Sequence, residues 1–337
     1  MKTISAIIVN WNNKEAAAAC VRSLQAQTGV DVEIIVCDNA STDRSVAHLR
    51  GLFPDIRIIQ NSENLGFGPA LNKGLAVAGG EHLIFLNNDL VLEPDCLRHL
   101  SAMLDSSSSL GGVVPKILYT NKTGVLNSFG VDVHYTGIAC AHLLDAKDSP
   151  NIKSYETACG GIFMFPRSIY KATGGFDPDF FLYHEDHDLS WRIRLLGYRL
   201  ETCSEAVMGH DYHFNKGVFK FYSSEKNRVM MLFKNYSLKT LLLITPALLA
   251  VEAAQWVHAA TNGWFGLKLK SYYEIVAALP ALLEKRKTVQ ATRVVSDRVI
   301  MGLHENRLQL SGIRHPWVEN GLSPFLERYG ERIRRWL

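Results

Sequence analysis

The chain opens with short apolar runs that each stop at an amide or a carboxylate. Ile4 to Val9 runs into Asn10-Trp11-Asn12, Glu33 to Cys37 into Asp38-Asn39, Ile56 to Ile59 into Gln60-Asn61, and Leu83-Ile84-Phe85-Leu86 into Asn87-Asn88-Asp89. Continuous runs bounded by polar residues predict strands covered on both faces of a parallel sheet. Between them Ala17, Val21 and Leu24 keep helical spacing. Ser41-Thr42-Asp43 has the residue types of a helix start, with Ser41 the better-placed cap. The alternation predicts parallel βαβ units over about the first hundred residues. In such a sheet ligands bind outside the carboxyl ends of the strands. One polar tip is an ordinary turn, but four coincident tips predict a site.

Further along, Asn64-Leu65-Gly66-Phe67-Gly68-Pro69 makes a glycine-rich turn, with Pro69 where a first helical turn accepts it. It is not a dinucleotide fingerprint, because Leu71 stands where the third glycine belongs. Residues 105 to 155 carry a serine run, Ser106 to Ser109, and scattered β-like pieces such as Gly112-Val113-Val114. Cys159 to Phe165 predicts a buried strand, and Gly174-Gly175-Phe176-Asp177-Pro178 a turn. Tyr183-His184-Glu185-Asp186-His187-Asp188 then leads into a helix with Leu189, Ile193 and Leu196 on one face and Gly197 as its stop. Asp188 suits a plain complement to the helix dipole.

With 337 residues the chain has room for one large or two medium domains. Its net charge of +3 is unevenly placed: residues 1 to 233 hold 21 Lys and Arg against 25 Asp and Glu, whereas residues 234 to 337 hold 15 against 8. The basic third is also rich in apolar stretches, a combination that suits an anionic membrane surface and not nucleic acid. Leu241 to Val251 is apolar except for Thr245, but Glu252, Gln255 and His258 interrupt its continuation, so it reads as too short and too polar to span a bilayer. Trp256, Trp264, Phe265, Tyr272 and Tyr273, mixed with Lys268, Lys270 and Lys285-Arg286-Lys287, predict helices lying in a membrane interface. A soluble helical subdomain or an oligomer contact is the competing expectation, with a true span third. The six cysteines are far apart with no Cys-x-x-Cys pair, which excludes a zinc knuckle or redox motif. Met1-Lys2-Thr3-Ile4 enters the first strand at once and leaves no place for a signal peptide, so a cytoplasmic protein, peripheral on the inner face of the cell membrane, is expected.

In order and spacing these motifs resemble the inverting nucleotide-sugar glycosyltransferases of family 2, with the GT-A fold. The resemblance is carried by Ile7-Ile8-Val9-Asn10-Trp11-Asn12, Val36 to Asp43, Asn64 to Gly68, Phe85 to Asp89, Gly174 to Asp177, Glu185 to Asp188, and Glu225-Lys226-Asn227-Arg228. It implies a Rossmann-like, mostly parallel α/β sheet with flanking helices. A catalytic domain would cover residues 1–235, followed by a helical, basic region over 236–337. Val-Asn-Trp-Asn at the first strand and Asn-Asn-Asp in place of Asp-x-Asp are similar to rhamnosyltransferase-like members that build cell-surface glycans.

What the resemblance implies for single residues follows the chemistry. A sugar leaves a nucleoside diphosphate as an acceptor hydroxyl attacks, so the enzyme must neutralise a departing diphosphate and remove a proton. Asp89 falls in the metal position and would hold Mg²⁺ or Mn²⁺. Because Asn87 replaces the first acid, the substrate itself would hold part of the metal. His210 matches a downstream histidine that reaches the metal or the diphosphate, with His213 as its competitor. Asp186 matches the catalytic base, and Glu185 is its rival or orients the acceptor. Asp38 matches the residue that reads the nucleotide base, Asn10 and Asn39 border that pocket, and Asn64, Gly66 and Asn88 complete the donor side. The donor would be dTDP-rhamnose or a UDP-sugar, and the acceptor a glycan or a lipid-linked sugar. A nucleotidyltransferase would need a glycine-rich, basic phosphate motif after the first strand, which Asn10-Trp11-Asn12-Asn13 does not supply. A non-catalytic sugar-nucleotide-binding scaffold has no need of Asp38, Asp89 and Asp186 together.

Overall fold

The computed structural model describes residues 2–212, 217–308 and 316–337. They fall into two compact units. The first takes the described residues of 1–131, 141–193 and 198–214, the second those of 132–140, 194–197 and 215–337. By compactness, the second unit includes the helix that starts at Gly217.

The first unit is built on one large sheet. Its strands are β1 (Thr3–Asn10), β2 (Asp31–Asp38), β3 (Arg57–Gln60), β4 (His82–Asn87), β5 (Leu90–Leu92), β6 (Leu110–Tyr119) and β7 (Leu126–Ser128). A small ribbon of β8 (Val131–Val133) and β9 (Ala139–Ala141), most of whose residues belong to the second unit, comes next in the chain, then β10 (Met164–Pro166) and β11 (Arg199–His210) of the large sheet. The order in the large sheet is β3-β2-β1-β4-β10-β6-β11-β5, with β7 paired to β6. The strands β1 to β4 are parallel to one another, as the continuous apolar runs require, whereas β10 runs antiparallel to both β4 and β6. Ile4, Ala6, Ile7 and Ile8 in β1 and Leu83 to Leu86 in β4 are fully buried. At the edge of the sheet β3 is half-exposed, so the third run, Ile56 to Ile59, is covered less completely than its sequence suggests.

Helices pack on this sheet: α1 (Lys14–Gln25), α2 (Ser45–Leu52), α3 (Phe67–Val77), α4 (Cys96–Asp105), α5 (Arg167–Thr173) and α6 (Glu185–Leu195). In α1, Ala17, Val21 and Leu24 are the buried face. Pro69 lies in the first turn of α3. Asp43, not Ser41, serves the helix starts: Asp43 Oδ1 accepts from Ser45 N and Oδ2 from Lys14 N, both at 3.0 Å. Ser41 is engaged elsewhere, because its hydroxyl accepts from Asn12 N at 2.9 Å. In α6, Leu189, Ile193 and Leu195 are buried while Leu196 is partly exposed, and Gly197 at φ +89° stops the helix.

Two segments differ from the sequence pattern. Strand β6 runs for ten residues through the middle of the sheet, where only scattered pieces were legible. Gly111, Gly112, Pro115 and Lys116 break its apolar pattern, and Lys116 is tolerated there by an ion pair with Asp148 at 2.9 Å. The predicted strand at Cys159 to Phe165 is reduced to β10, because Gly160 and Gly161, the latter at φ +55°, turn the chain first.

The second unit is helical: α7 (Gly217–Asn235), α8 (Leu238–Thr261), α9 (Phe265–Thr292), α10 (Asp297–Leu303) and α11 (Ser323–Trp336). At 24 residues α8 is long and apolar enough to cross a membrane by length and composition, longer than its interrupted apolar run implied. The interrupting Glu252 is paired inside the unit, 2.6 Å from Lys268 Nζ. Lys268, expected at an interface, is fully buried and also contacts Glu225 at 3.0 Å. Trp264 is buried too. Within Lys285-Arg286-Lys287, Arg286 donates to the carbonyls of Phe233 and Tyr236 at the end of α7, and Lys287 pairs with Glu284. Helix-end carbonyls attract a guanidinium for the same reason they attract any cation.

Candidate active site

Parallel register places the polar strand ends side by side. Asn10 pairs with Asp38, Asp38 with Gln60, and Val9 with Asn87. The side chains there form a chain of hydrogen bonds: Asn88 Nδ2 donates to Asn10 Oδ1 at 2.8 Å, and Asn10 Nδ2 donates to Asp38 Oδ1 at 2.9 Å. Asp38 Oδ2 accepts from Ser41 N at 3.0 Å. A second chain starts at Asn61, whose Nδ2 donates to Asn39 Oδ1 at 2.8 Å, while Asn39 Nδ2 donates to the Gly66 carbonyl at 2.8 Å. Asn10, Asp38 and Asn39 are buried, so Asp38 presents no solvent-facing surface in this arrangement. Asn64, Asn88 and Asp89 are partly exposed, and Trp11 is 56% exposed. The tips are thus held rigidly from below by buried amides, with a polar, partly open rim above. Asn61 belongs to this framework and carried no sequence signal beyond its place after a strand.

The glycine-rich turn closes against the segment that leads into α6. Asn64 Oδ1 accepts from Gly66 N at 3.0 Å, and Phe67 N donates to the Phe181 carbonyl at 2.8 Å. Gly66 has φ +85°, and a Cβ there would lie 2.1 Å from the Phe181 carbonyl oxygen. Only glycine fits. A Cβ on Gly68 would lie 3.5 Å from Glu185 Cβ, so the turn and the Glu185-Asp186 pair are neighbours. Immediately before that pair Tyr183 and His184 adopt left-handed backbone, at φ +71° and +65°. Such non-glycine residues cost on the order of 1–3 kcal/mol each and cluster where a site must be held in one shape.

Asp186 is partly buried and Glu185 almost wholly so. Desolvation pushes the Asp186 carboxyl up to about 6, against the pull of the His187 backbone N–H. Its Oδ2 lies 3.9 Å from where a Cβ on Gly161 would be, which marks Gly161 as part of the site. Burial also lowers His187, to about 4, so the neighbour of the carboxylate is a neutral imidazole at pH 7. Asp188 does more than complement the helix dipole. It pairs with Arg192 at 2.8 Å, and Arg192 in turn donates to the carbonyls of Thr173 and Gly175, fastening the turn to α6.

Asp89 and His210 meet across the sheet. His210 Nε2 is 3.3 Å from Asp89 Oδ1, and His210 Nδ1 is 2.9 Å from Asn127 Oδ1. In the tautomer that donates Nδ1–H to Asn127 Oδ1, the Nε2 lone pair faces Asp89. Asp89 Oδ1 is buried with no hydrogen-bond donor among the described residues. Two acceptors facing one another at this distance suit a cation between them. Ligands at right angles on a metal with bonds of about 2.1 Å stand about 3 Å apart, so the pair fits Mg²⁺ or Mn²⁺. Among the described residues no three His, Cys, Asp or Glu side chains converge, so these residues supply two candidate ligands, Asp89 and His210. Asn127 was not legible in the sequence as part of the site. His213 lies outside the described residues.

Comparison with known proteins bears on the whole arrangement. The family model described as Glycosyl transferase family 2 matches residues 5–173, and one described as N-terminal domain of galactosyltransferase matches residues 141–217. The poly-beta-1,6-N-acetyl-D-glucosamine synthase of Staphylococcus epidermidis is 23% identical over 207 residues, covering 60% of this chain and 48% of the synthase. The chain spans between about a third and a half of the length of the curated relatives it matches. Among solved structures, TarS 1-349 of S. aureus in complex with UDP has a TM-score of 0.55 at 17% identity, covering 100% of this chain and 92% of that one. GalNAc-T7 with UDP, GalNAc and Mn²⁺ has a TM-score of 0.57 at 18% identity, covering 69% and 49%. The fold is the mixed α/β GT-A fold with a C-terminal helical region. With half of its length matched by the family model, the chain belongs to glycosyl transferase family 2.

Proposed function

We propose that this protein is a metal-dependent inverting glycosyltransferase that moves a sugar from a nucleotide donor to a hydroxyl of a glycan or lipid-linked acceptor in cell-surface polysaccharide synthesis. The observation that carries the proposal is the coexistence in one unit of amide-braced strand tips, the Asp89–His210 acceptor pair and the desolvated Asp186 carboxyl. Asn64, Gly66 and Asn88 would border the donor, with Asn10, Asp38 and Asn39 bracing the pocket from beneath. Asp89 and His210 would hold the divalent cation, whose chemistry is to neutralise the leaving diphosphate.

In the transfer step the acceptor oxygen forms a bond to the anomeric carbon while the bond from that carbon to the diphosphate oxygen breaks, and the electron pair leaves with the nucleoside diphosphate. Asp186 takes the acceptor's proton, a contribution of roughly 10²–10⁴ in rate, and its raised pKa makes it a stronger base than an ordinary aspartate. Attack opposite the leaving group inverts the anomeric configuration. Glu185, beside the glycine-rich turn, would orient the acceptor.

A UDP-sugar donor is supported by the UDP in both solved structures, whereas the Val-Asn-Trp-Asn and Asn-Asn-Asp motifs favour dTDP-rhamnose. The polysaccharide setting is supported by the name of the staphylococcal synthase. We place the protein in the cytoplasm, at the inner face of the membrane. The test is a thermal-shift panel of nucleotide sugars with and without Mn²⁺, followed by transfer assays and NMR of the product anomer. A donor that raises Tm only with Mn²⁺ and yields inverted product supports the proposal. Full activity in chelator would remove the metal, retained configuration would remove the single displacement, and donor binding without turnover would make the protein a scaffold.

A further inference from the structure

A helix on the surface of a soluble protein shows water a polar face. Helix α8 does the opposite. Ile244, Ala247, Val251 and Ala259 are its buried side, yet its outer side carries Leu238, Leu242, Leu249 and Val257, which are 56–67% exposed and spaced to share one face. Helix α9 repeats the arrangement with Phe265, Leu269, Tyr273 and Val276, which are 46–76% exposed. The two helices share an aromatic border, where Trp256 stacks on Tyr272 at 5.8 Å and meets Phe265 at 5.3 Å. Beside α8 lies α11, joined to it by Tyr329 donating to the Leu243 carbonyl at 2.9 Å. Arg328, Arg332 and Arg335 of α11 are exposed, as is Trp336 at 55%.

Charge identifies the occupant. The exposed charges of α8, α9 and α11 are Lys239, Lys270, Lys287, Arg328, Arg332 and Arg335 against Glu284 and Glu331, so a second copy meeting this surface would be repelled, whereas an anionic leaflet would be attracted. The buried side decides how the surface engages. Glu252 of α8 is held by Lys268 at 2.6 Å and Arg228 at 3.5 Å, and a crossing helix would have to break that cluster and carry the carboxylate into hydrocarbon. We propose that the outer faces of α8 and α9, with the arginines of α11, dock the protein onto an anionic bilayer, the helices lying in the plane of the interface without crossing it. The proposal rests on the membrane location given above and is independent of the transfer chemistry.

The experiment is flotation of the full chain, without donor, on vesicles of phosphatidylcholine alone and with 30 mol % phosphatidylglycerol, about the anionic content that gives a strong surface potential. The expected result is binding to the anionic vesicles. It should weaken by about tenfold or more in Leu242→Glu/Leu249→Glu and in Tyr273→Glu/Val276→Glu, since each exposed apolar group then loses its transfer into lipid. Arg332→Gln/Arg335→Gln should lower binding to anionic vesicles and reduce its salt dependence. Because a face variant can misfold, the wild-type chain is also tested with brominated lipids: quenching of tryptophan fluorescence that Trp256→Phe diminishes supports the docking. Face variants that float like wild type, carbonate-resistant insertion, or a wild-type dimer that Leu242→Glu/Leu249→Glu converts to a monomer would each overturn it. A chain that transfers sugar but never floats sinks only this inference, and one that floats but never transfers sinks only the transferase.

Discussion

Asn127 Oδ1 stands 2.9 Å from His210 Nδ1 and so determines what His210 Nε2 offers to Asp89, 3.3 Å away. On the function proposed above, Asn127 is a positioning residue: by accepting from Nδ1 it would hold the tautomer that leaves Nε2 for the cation. Partners of this kind change metal affinity by about 10–100-fold when removed. Asn127→Leu is therefore expected to weaken Mn²⁺ binding by that amount, read by electron paramagnetic resonance in the presence of a nucleoside diphosphate, while Asn127→Asp, which keeps an acceptor at Oδ1, restores most of it. Equal affinity in the Leu variant would assign Asn127 to packing alone.

Asp186 couples activity to pH in a stated direction. Its carboxyl is raised to about 6 by desolvation, and as the proposed base it must be ionised, so kcat/KM should be present above about pH 6 and fall roughly tenfold for each unit below it. The effect on folding has the opposite sign. A folded-state pKa above the unfolded value means that ionisation at neutral pH costs stability, and that the cost fades as pH falls from about 6 toward the unfolded value. Asp186→Asn should therefore be inactive yet melt higher than wild type at pH 7, with the gap closing near pH 4. An activity limb at the ordinary carboxylate pKa, or a lower Tm at pH 7, would contradict the placement of this side chain.

The difference between what was and was not legible follows from how far each contact reaches. The strands β1, β2 and β4 are continuous apolar runs, and their tips carry Asn10, Asp38, Asn88 and Asp89 to one edge because parallel pairing conserves register. Local chemistry announces Gly66 as well. Asn127 had no such signal, because its meeting with His210 depends on β7 and β11 both pairing with β6, a strand whose glycines and proline hide it. Lys268 illustrates a different limit. A lysine among aromatic residues on an apolar helix has the same pattern whether it reaches for a membrane surface or closes a buried ion cluster, and only its partners Glu225 and Glu252 decide.

Gly66→Ala is expected to be costly in a way that its size does not suggest. The new methyl would meet the Phe181 carbonyl at 2.1 Å on a backbone already at φ +85°. Moving away would sacrifice the Phe67 N to Phe181 O and Asn39 Nδ2 to Gly66 O bonds. Roughly 2–4 kcal/mol of stability should be lost in chemical denaturation. Gly51→Ala is the control: it lies in α2 with nothing within 4 Å of the new carbon and should gain about 0.5–1 kcal/mol. Similar behaviour of the two variants would remove the special conformation assigned to Gly66.

Lys268→Met tests the buried cluster that ties α7, α8 and α9 together. Lys268 Nζ lies 3.0 Å from Glu225 and 2.6 Å from Glu252, and 5.3 Å from the centre of the Tyr272 ring. Removing it leaves the buried Glu225 and the half-buried Glu252 to share Arg228, a loss of about 3 kcal/mol at pH 7. Desolvation pushes the Glu225 carboxyl up, but Arg228 and Lys268 outweigh it and hold the group at about 2, below its ordinary 4.5. The wild-type contribution is therefore complete above pH 4.5 and is lost as pH falls toward 2. In the Met variant the weakened pairing lets the carboxylates protonate earlier, so the stability gap between the two proteins should narrow as pH falls below 4.5. Adding Glu252→Gln should recover part of the loss at pH 7, because it removes one of the uncompensated charges, and a double-mutant cycle reads that coupling directly. Strictly additive effects of the two substitutions would mean that Lys268 and Glu252 are adjacent without being energetically paired.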